Sequence, residues 1–217
     1  MFGRFFLVLV LSLMLAEVIL MMYARSPEAA EADYSYAVWK PAHRDNYTPA
    51  NRGKGDVRWI IIHDIEGTAE AAVAWFRNPA ARASAHYVIA YDGTVYQMVR
   101  EKDIAWHAGN WEYNKRAIGI ELAGYADKNM YTDEEYHACA KLVAYLAKKY
   151  GIPIVHPEGI APADPEDGAG IIGHSQVPDP QDPSQGGGRS HHYDPGKYWN
   201  WTKFMELVKY YYSQSSD

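Results

Sequence analysis

The sequence predicts a single mixed α/β domain, one central β-sheet with helices packed on it. Short β-rich apolar runs alternate with amphipathic helical stretches along the chain. Asp92-Gly93 sits between alternating residues, the strongest two-residue hairpin signal. The length of 217 residues, 48% of them apolar, suffices for one domain with a full core and is short for two.

Residues 1–32 carry Arg4 and then an apolar run from Phe5 to Tyr23, broken only by Ser12 and Glu17. It reads as an export signal, either cleaved or kept as an anchor. The run approaches the roughly 20 residues that cross a bilayer, which favours an anchor, while Glu17 fits lipid poorly. Ala30-Glu31-Ala32 supplies a small-x-small cleavage pattern. The expected location is outside the cell or on the outer face of its membrane. An exported chain with Cys139 as its lone cysteine holds no internal disulfide, so stability must come from the core.

Residues 33–56 are polar and rich in turn formers and read as an extended lead-in; the catalytic domain is expected over 57–212. "VRWIIIH", 57–63, suits a buried strand ending on His63. "TAEAAVAWFRN" starts at an N-cap, Thr68, keeps apolar residues at helical spacing and stops before Pro79. "ASAHYVIAYDGTVYQMV" is a hairpin about Asp92-Gly93. "RAIGIELAG", 116–124, is a second short strand, with Glu121 near its end. Thr132-Asp133-Glu134-Glu135 forms a capping box, and Tyr136, Cys139, Leu142, Val143, Leu146 and Tyr150 make an apolar stripe up to Gly151. "HPEGIAPADPEDGAG" and "VPDPQDPSQGGGRS" are loops, "IIGH", 171–174, is a strand ending on His174, and 199–212 is a final amphipathic helix.

Three strand readings therefore finish on His63, Glu121 and His174, where an α/β sheet holds side chains rigidly beside open loops. "SHHYDPGKYWNW", 190–201, adds Asp194. Two histidines and a carboxylate are a known catalytic zinc set. Spacing alone is weak, because His63 and His174 are far apart in the chain with no local motif linking them. Each residue also has an ordinary reading: His63 as a hydrogen-bonded strand end, Asp194 as a turn carboxylate, Glu121 as a solvated strand residue. The net charge of -6 speaks against a nucleic-acid partner.

"WIIIHDIEGT", "SAHYVIAYDGTVYQMV", "AWHAGN", "AIGIELAG", "GIIGHSQVP" and "HYDPG..W", in this order over 57–205, resemble the zinc-dependent N-acetylmuramoyl-L-alanine amidases, the family of phage amidase lysozymes and peptidoglycan recognition proteins. The resemblance implies that fold, one zinc ion on His63, His174 and Asp194, and hydrolysis of the amide between N-acetylmuramic acid and L-alanine in bacterial peptidoglycan. Some relatives carry Cys at the third ligand position. By the same resemblance Glu121 helps deprotonate the attacking water, and His192 stands where Lys often stabilises the oxyanion, with His191 beside it able to take the role. His86, Trp106, His107 and Asn110 are candidate substrate contacts; Trp111, Trp199 and Trp201 offer flat faces but also suit a core. Cys139 reads as packing. A monomer is expected, attached to the membrane through the amino-terminal segment where that segment is kept and free of it where it is cleaved. The alternative on the same fold is a non-catalytic peptidoglycan-binding receptor, from which an intact ligand set with Glu121 kept distinguishes an enzyme.

Overall fold

Three consecutive isoleucines after Trp59 cannot face water on either side, so this segment becomes the buried β3 (Trp59–Asp64) at the heart of a sheet. The computed structural model describes residues 31–214, and the apolar amino-terminal run, with its signal or anchor reading, lies outside them. Among the described residues no helix is long and apolar enough to cross a membrane. On either side of β3, β7 (Ala117–Leu122) and β8 (Gly170–Gly173) pair with it in parallel. The sheet continues from β7 to β4 (Tyr87–Ile89), β5 (Val95–Gln97) and β1 (Ala37–Trp39), in the order β1-β5-β4-β7-β3-β8. β4 and β5 form the antiparallel hairpin expected about Asp92-Gly93.

The alternation of side chains along these strands separates two faces. Ile60, Ile62, Ile118, Ile120 and Leu122 pack with Leu142, Val143 and Leu146 of α3 (Asp133–Tyr150) and Phe204 and Val208 of α4 (Trp201–Gln214). Trp59, Ile61, Ala117 and Ile172 turn the other way, toward Tyr113 of α2 (Trp111–Arg116). α1 (Ala69–Phe76) packs Ala72 and Phe76 in a cluster with Val88 and Met98. His63, Gly119 and Glu121 have the parity of Ile61 and Ala117, so they belong to the face away from α3 and α4.

The capping box at Thr132 forms as expected, with Thr132 Oγ1 accepting from the Glu135 N–H and the Glu135 carboxylate accepting from the Thr132 N–H. Gly151 closes α3 at φ 72°, a left-handed turn that a Cβ disfavours. Cys139 is fully buried in α3.

Three sequence expectations shift. The stretch read as an extended lead-in belongs to the compact unit that begins at Ala32: it supplies β1 to the sheet edge and β2 (Tyr47–Thr48), which pairs with β6 (Ile104–Ala105). α2 is a helix where none was expected. The last helix starts at Trp201, and Trp199 lies buried before it, stacked on Tyr136. Because Ile61 is fully enclosed between β7 and β8, Ile61→Ala should cost about 2–5 kcal/mol. Urea denaturation measures this, and a loss within error of zero would mean that this face is not a packed core.

Candidate metal centre

Parallel pairing decides the site. His63 stands in register with Glu121 across the β3–β7 ladder, and Ile62 pairs with Gly173, so His174 follows directly beside His63. Three side chains from distant segments thus share the carboxyl ends of three adjacent strands. Asp194 reaches them from the long loop that follows His174: its Oδ2 accepts the Asp64 N–H at 3.3 Å, and its carbonyl accepts the Ser175 N–H at 3.0 Å. Tyr131 braces this loop, its hydroxyl lying 2.8 Å from the Pro195 carbonyl and 3.1 Å from Asp64 Oδ2.

The Nδ1 atoms of His63 and His174 lie 3.3 and 3.2 Å from the two Asp194 oxygens, and all three residues are buried. One ligand atom from each falls within 4.8 Å of the others. Asp194 Oδ1 makes no hydrogen bond of good geometry although it is out of contact with water. An orphaned buried carboxylate oxygen facing two imidazole nitrogens fits a shared cation.

The electrostatics agree with that donor set. Burial, followed by the neighbouring His174, lowers His63 to about 4, which keeps it neutral. Burial alone would raise Asp194; the approach of His174 and then His63 outweighs it and holds the carboxyl far below its ordinary range. A neutral His63 and an ionised Asp194 are protonation states that suit metal binding. Glu121 moves oppositely: burial, then Asp194 and Asp64, pushes its carboxyl well above the usual value. Burial also raises Asp64, to about 6.

Of the two adjacent histidines only His192 approaches the centre. Its ring stacks on His174 with centroids 4.9 Å apart, its Nδ1 is 3.7 Å from Asp194 Oδ1, and it remains exposed. His191, at φ 53°, turns away and pairs its Nε2 with Asp179 Oδ2 at 2.8 Å.

The candidate substrate contacts fare differently. His86 is fully buried, its Nδ1 accepting the Gly119 N–H and its Nε2 held by the Asp103 carbonyl and Arg52, so both ring nitrogens are engaged within the protein. Asn110 is also buried: its Oδ1 caps α2 and its Nδ2 donates to the Pro178 carbonyl. Trp106 is half-buried and donates its Nε1–H to Thr48 Oγ1. His107 reaches His63, with its Nδ1 3.0 Å from the Nε2 of that ligand.

Two clefts open near these residues, one beside Glu121 and the other beside Tyr193 and Pro195. One of about 290 Å³ is lined by Asp64, Glu66, Trp75, Phe76 and Glu121, the other of about 520 Å³ by Asp127, Ser175, Tyr193, Lys197 and Trp201. Sequence reasoning missed Asp64, Tyr131 and Trp75; the position of Asp64 directly after His63 was the available signal for one of them.

Two imidazoles at the ends of adjacent central strands and a loop carboxylate beside them form a group that could hold a metal ion, the kind of donor set found in metal-dependent hydrolases. Residues 53–197 match the N-acetylmuramoyl-L-alanine amidase family model, and the chain belongs to that family. It is 35% identical over 181 residues to N-acetylmuramoyl-L-alanine amidase A of Achromobacter lyticus, covering 81% of this chain and 95% of that one. It is 30% identical to the 1,6-anhydro-N-acetylmuramyl-L-alanine amidase AmpD of Haemophilus influenzae over 59% of this chain and 60% of the relative, so it spans about three fifths of that protein. In fold it is similar to a crystal structure of a selenomethionine AmpD derivative, with TM-score 0.58, 23% identity, and coverage of 82% of this chain and 97% of that one.

Proposed function

We propose that this chain hydrolyses the amide between the lactyl group of N-acetylmuramic acid and the first L-alanine of the peptidoglycan stem peptide, with one zinc ion held by His63, His174 and Asp194. The observation that carries the reading is the convergence of these three buried donors beside Glu121, inside a chain of the amidase family. Bound there, zinc supplies Lewis acidity, which polarises a carbonyl and makes water a better nucleophile near neutral pH.

The other roles fall to the chain. Glu121, lining the cleft beside His63, takes the proton of the attacking water; its burial makes the carboxylate a stronger base than a solvated one. The same carboxyl returns that proton to the leaving amine of L-alanine. His192, exposed and stacked on His174, donates an N–H to the oxyanion that develops on the lactyl carbonyl. The cleft lined by Glu121 and the one beside Tyr193 and Pro195 offer the glycan and the peptide separate beds. No covalent intermediate with the protein is needed.

Incubating the purified protein with peptidoglycan should release new L-alanine amino termini, lose this activity to a chelator and regain it with zinc. Wall binding without new amino termini would make the chain a receptor instead. We further propose that the domain works outside the cytoplasm, a reading supported by the apolar run from Phe5 to Tyr23. Fractionating cells distinguishes an anchored form, found with the membrane, from a cleaved one found in the surrounding fluid; finding the protein in the cytosol would refute export.

A further inference from the structure

We infer that His107 is a positioning residue for the metal centre: its Nδ1 accepts the Nε2 proton of His63, fixing the tautomer and ring angle with which His63 offers Nδ1 to the ion. The inference rests on the proposed zinc reading of the site.

The tautomer follows from the geometry. His63 turns Nδ1 toward Asp194 at 3.3 Å, so a ligand lone pair there requires the ring proton on Nε2. That Nε2 lies 3.0 Å from His107 Nδ1, with the two rings nearly perpendicular at 85° and centroids 5.0 Å apart. Only an unprotonated His107 Nδ1 can accept the bond. His107 therefore carries its own proton on Nε2, and that atom is buried without a hydrogen-bond partner among the described residues. A histidine placed for its own solvation would not leave a donor unpaired. This one spends its acceptor on His63.

The surroundings hold His107 for that task. A Cβ at position 119 would lie 2.5 Å from the His107 ring, so the glycine of β7 makes the space in which the imidazole stands. Asn114 Oδ1 accepts the backbone N–H groups of His107 and Ala108 at 3.1 and 2.9 Å, fixing the main chain from α2. His86 meets the ring edge to face at 5.8 Å. His174 has no equivalent brace, because its Nε2 is buried and unpaired among the described residues. Of the two imidazole ligands, only His63 gains an orienting hydrogen bond, the kind of support whose loss typically weakens metal affinity by about 10–100-fold.

The test is zinc affinity, measured on the purified full chain by competition with a chromophoric chelator, alongside melting temperature in the zinc-free state. His107→Phe keeps a ring without an acceptor and should bind zinc about 10–100-fold more weakly. His107→Asn places an amide oxygen near the former Nδ1 and should restore most of the affinity. His107→Gln places its oxygen nearer the former Nε2 and should not. Should the phenylalanine variant fail to fold, the asparagine and glutamine pair decides alone. Equal zinc affinity across the series overturns the inference, and a raised KM with unchanged zinc affinity makes His107 a groove contact. Failure of the unmodified chain to bind zinc is a different result, which removes the metal reading itself.

Discussion

Asp194→Ala should leave a folded protein with peptidoglycan hydrolysis below roughly 1% of the unmodified level and with little bound zinc. The carboxylate is the only anionic member of the donor set, and it sits 3.3 and 3.2 Å from the two imidazole nitrogens in a buried pocket. Without it, two neutral rings must hold a dication alone in a poorly solvated place. Amino-terminus release and metal content per chain read the result together. Activity and zinc both retained would reduce Asp194 to a turn carboxylate whose work is the hydrogen bond to the Asp64 N–H.

Glu121→Gln should lower kcat by about 10²–10⁴-fold while leaving zinc content and KM near their unmodified values. The amide fills the same space in the cleft but cannot accept a proton from water. Stability should move the other way. Because the folded carboxyl titrates well above its ordinary 4.5, the unmodified chain pays an increasing cost as pH rises above that value, once the unfolded chain has ionised. Glutamine removes the cost, so the zinc-free variant should melt at a higher temperature at pH 7 and show no gain below pH 4. A variant with unchanged kcat would assign the proton transfer to another group, and Asp64 is the nearest carboxyl lining the same cleft.

Much of this site was legible before the fold was known, and for one reason. Buried parallel strands announce themselves as short apolar runs, and a polar residue ending such a run has a rigid address: His63, Glu121 and His174 were all found this way, and the ladder places them side by side. Asp194 was different. A carboxylate before Pro-Gly has no address without a family resemblance, because the loop that delivers it has no period to read.

The places where sequence and structure part share a physical cause too. His86 lies directly before β4, in a segment buried on both faces where alternation does not separate inside from outside. Asn110 lies in a block that reads as groove wall, yet its side chain is consumed by capping a six-residue helix too short to show an apolar stripe. Strands as short as β1 and β2 have no detectable periodicity, which is why residues 33–56 look like lead-in. The bond between His63 and His107 joins positions 44 residues apart in the chain, a contact that only the ladder geometry brings about.

With Asp194 as the proposed third donor, the centre would also meet oxidants in a particular way. A thiolate at that position would be open to conversion through sulfenic to sulfinic acid, each step degrading it as a ligand. Here the donors are imidazole and carboxylate, which have no such ladder to climb. The single sulfhydryl of the chain, Cys139, is sealed in α3, with burial raising its thiol well above the ordinary value and keeping it protonated. Peroxide reaching the clefts beside Asp194 would find no thiol there to oxidise, and the chemistry of the centre needs no reductant to maintain it.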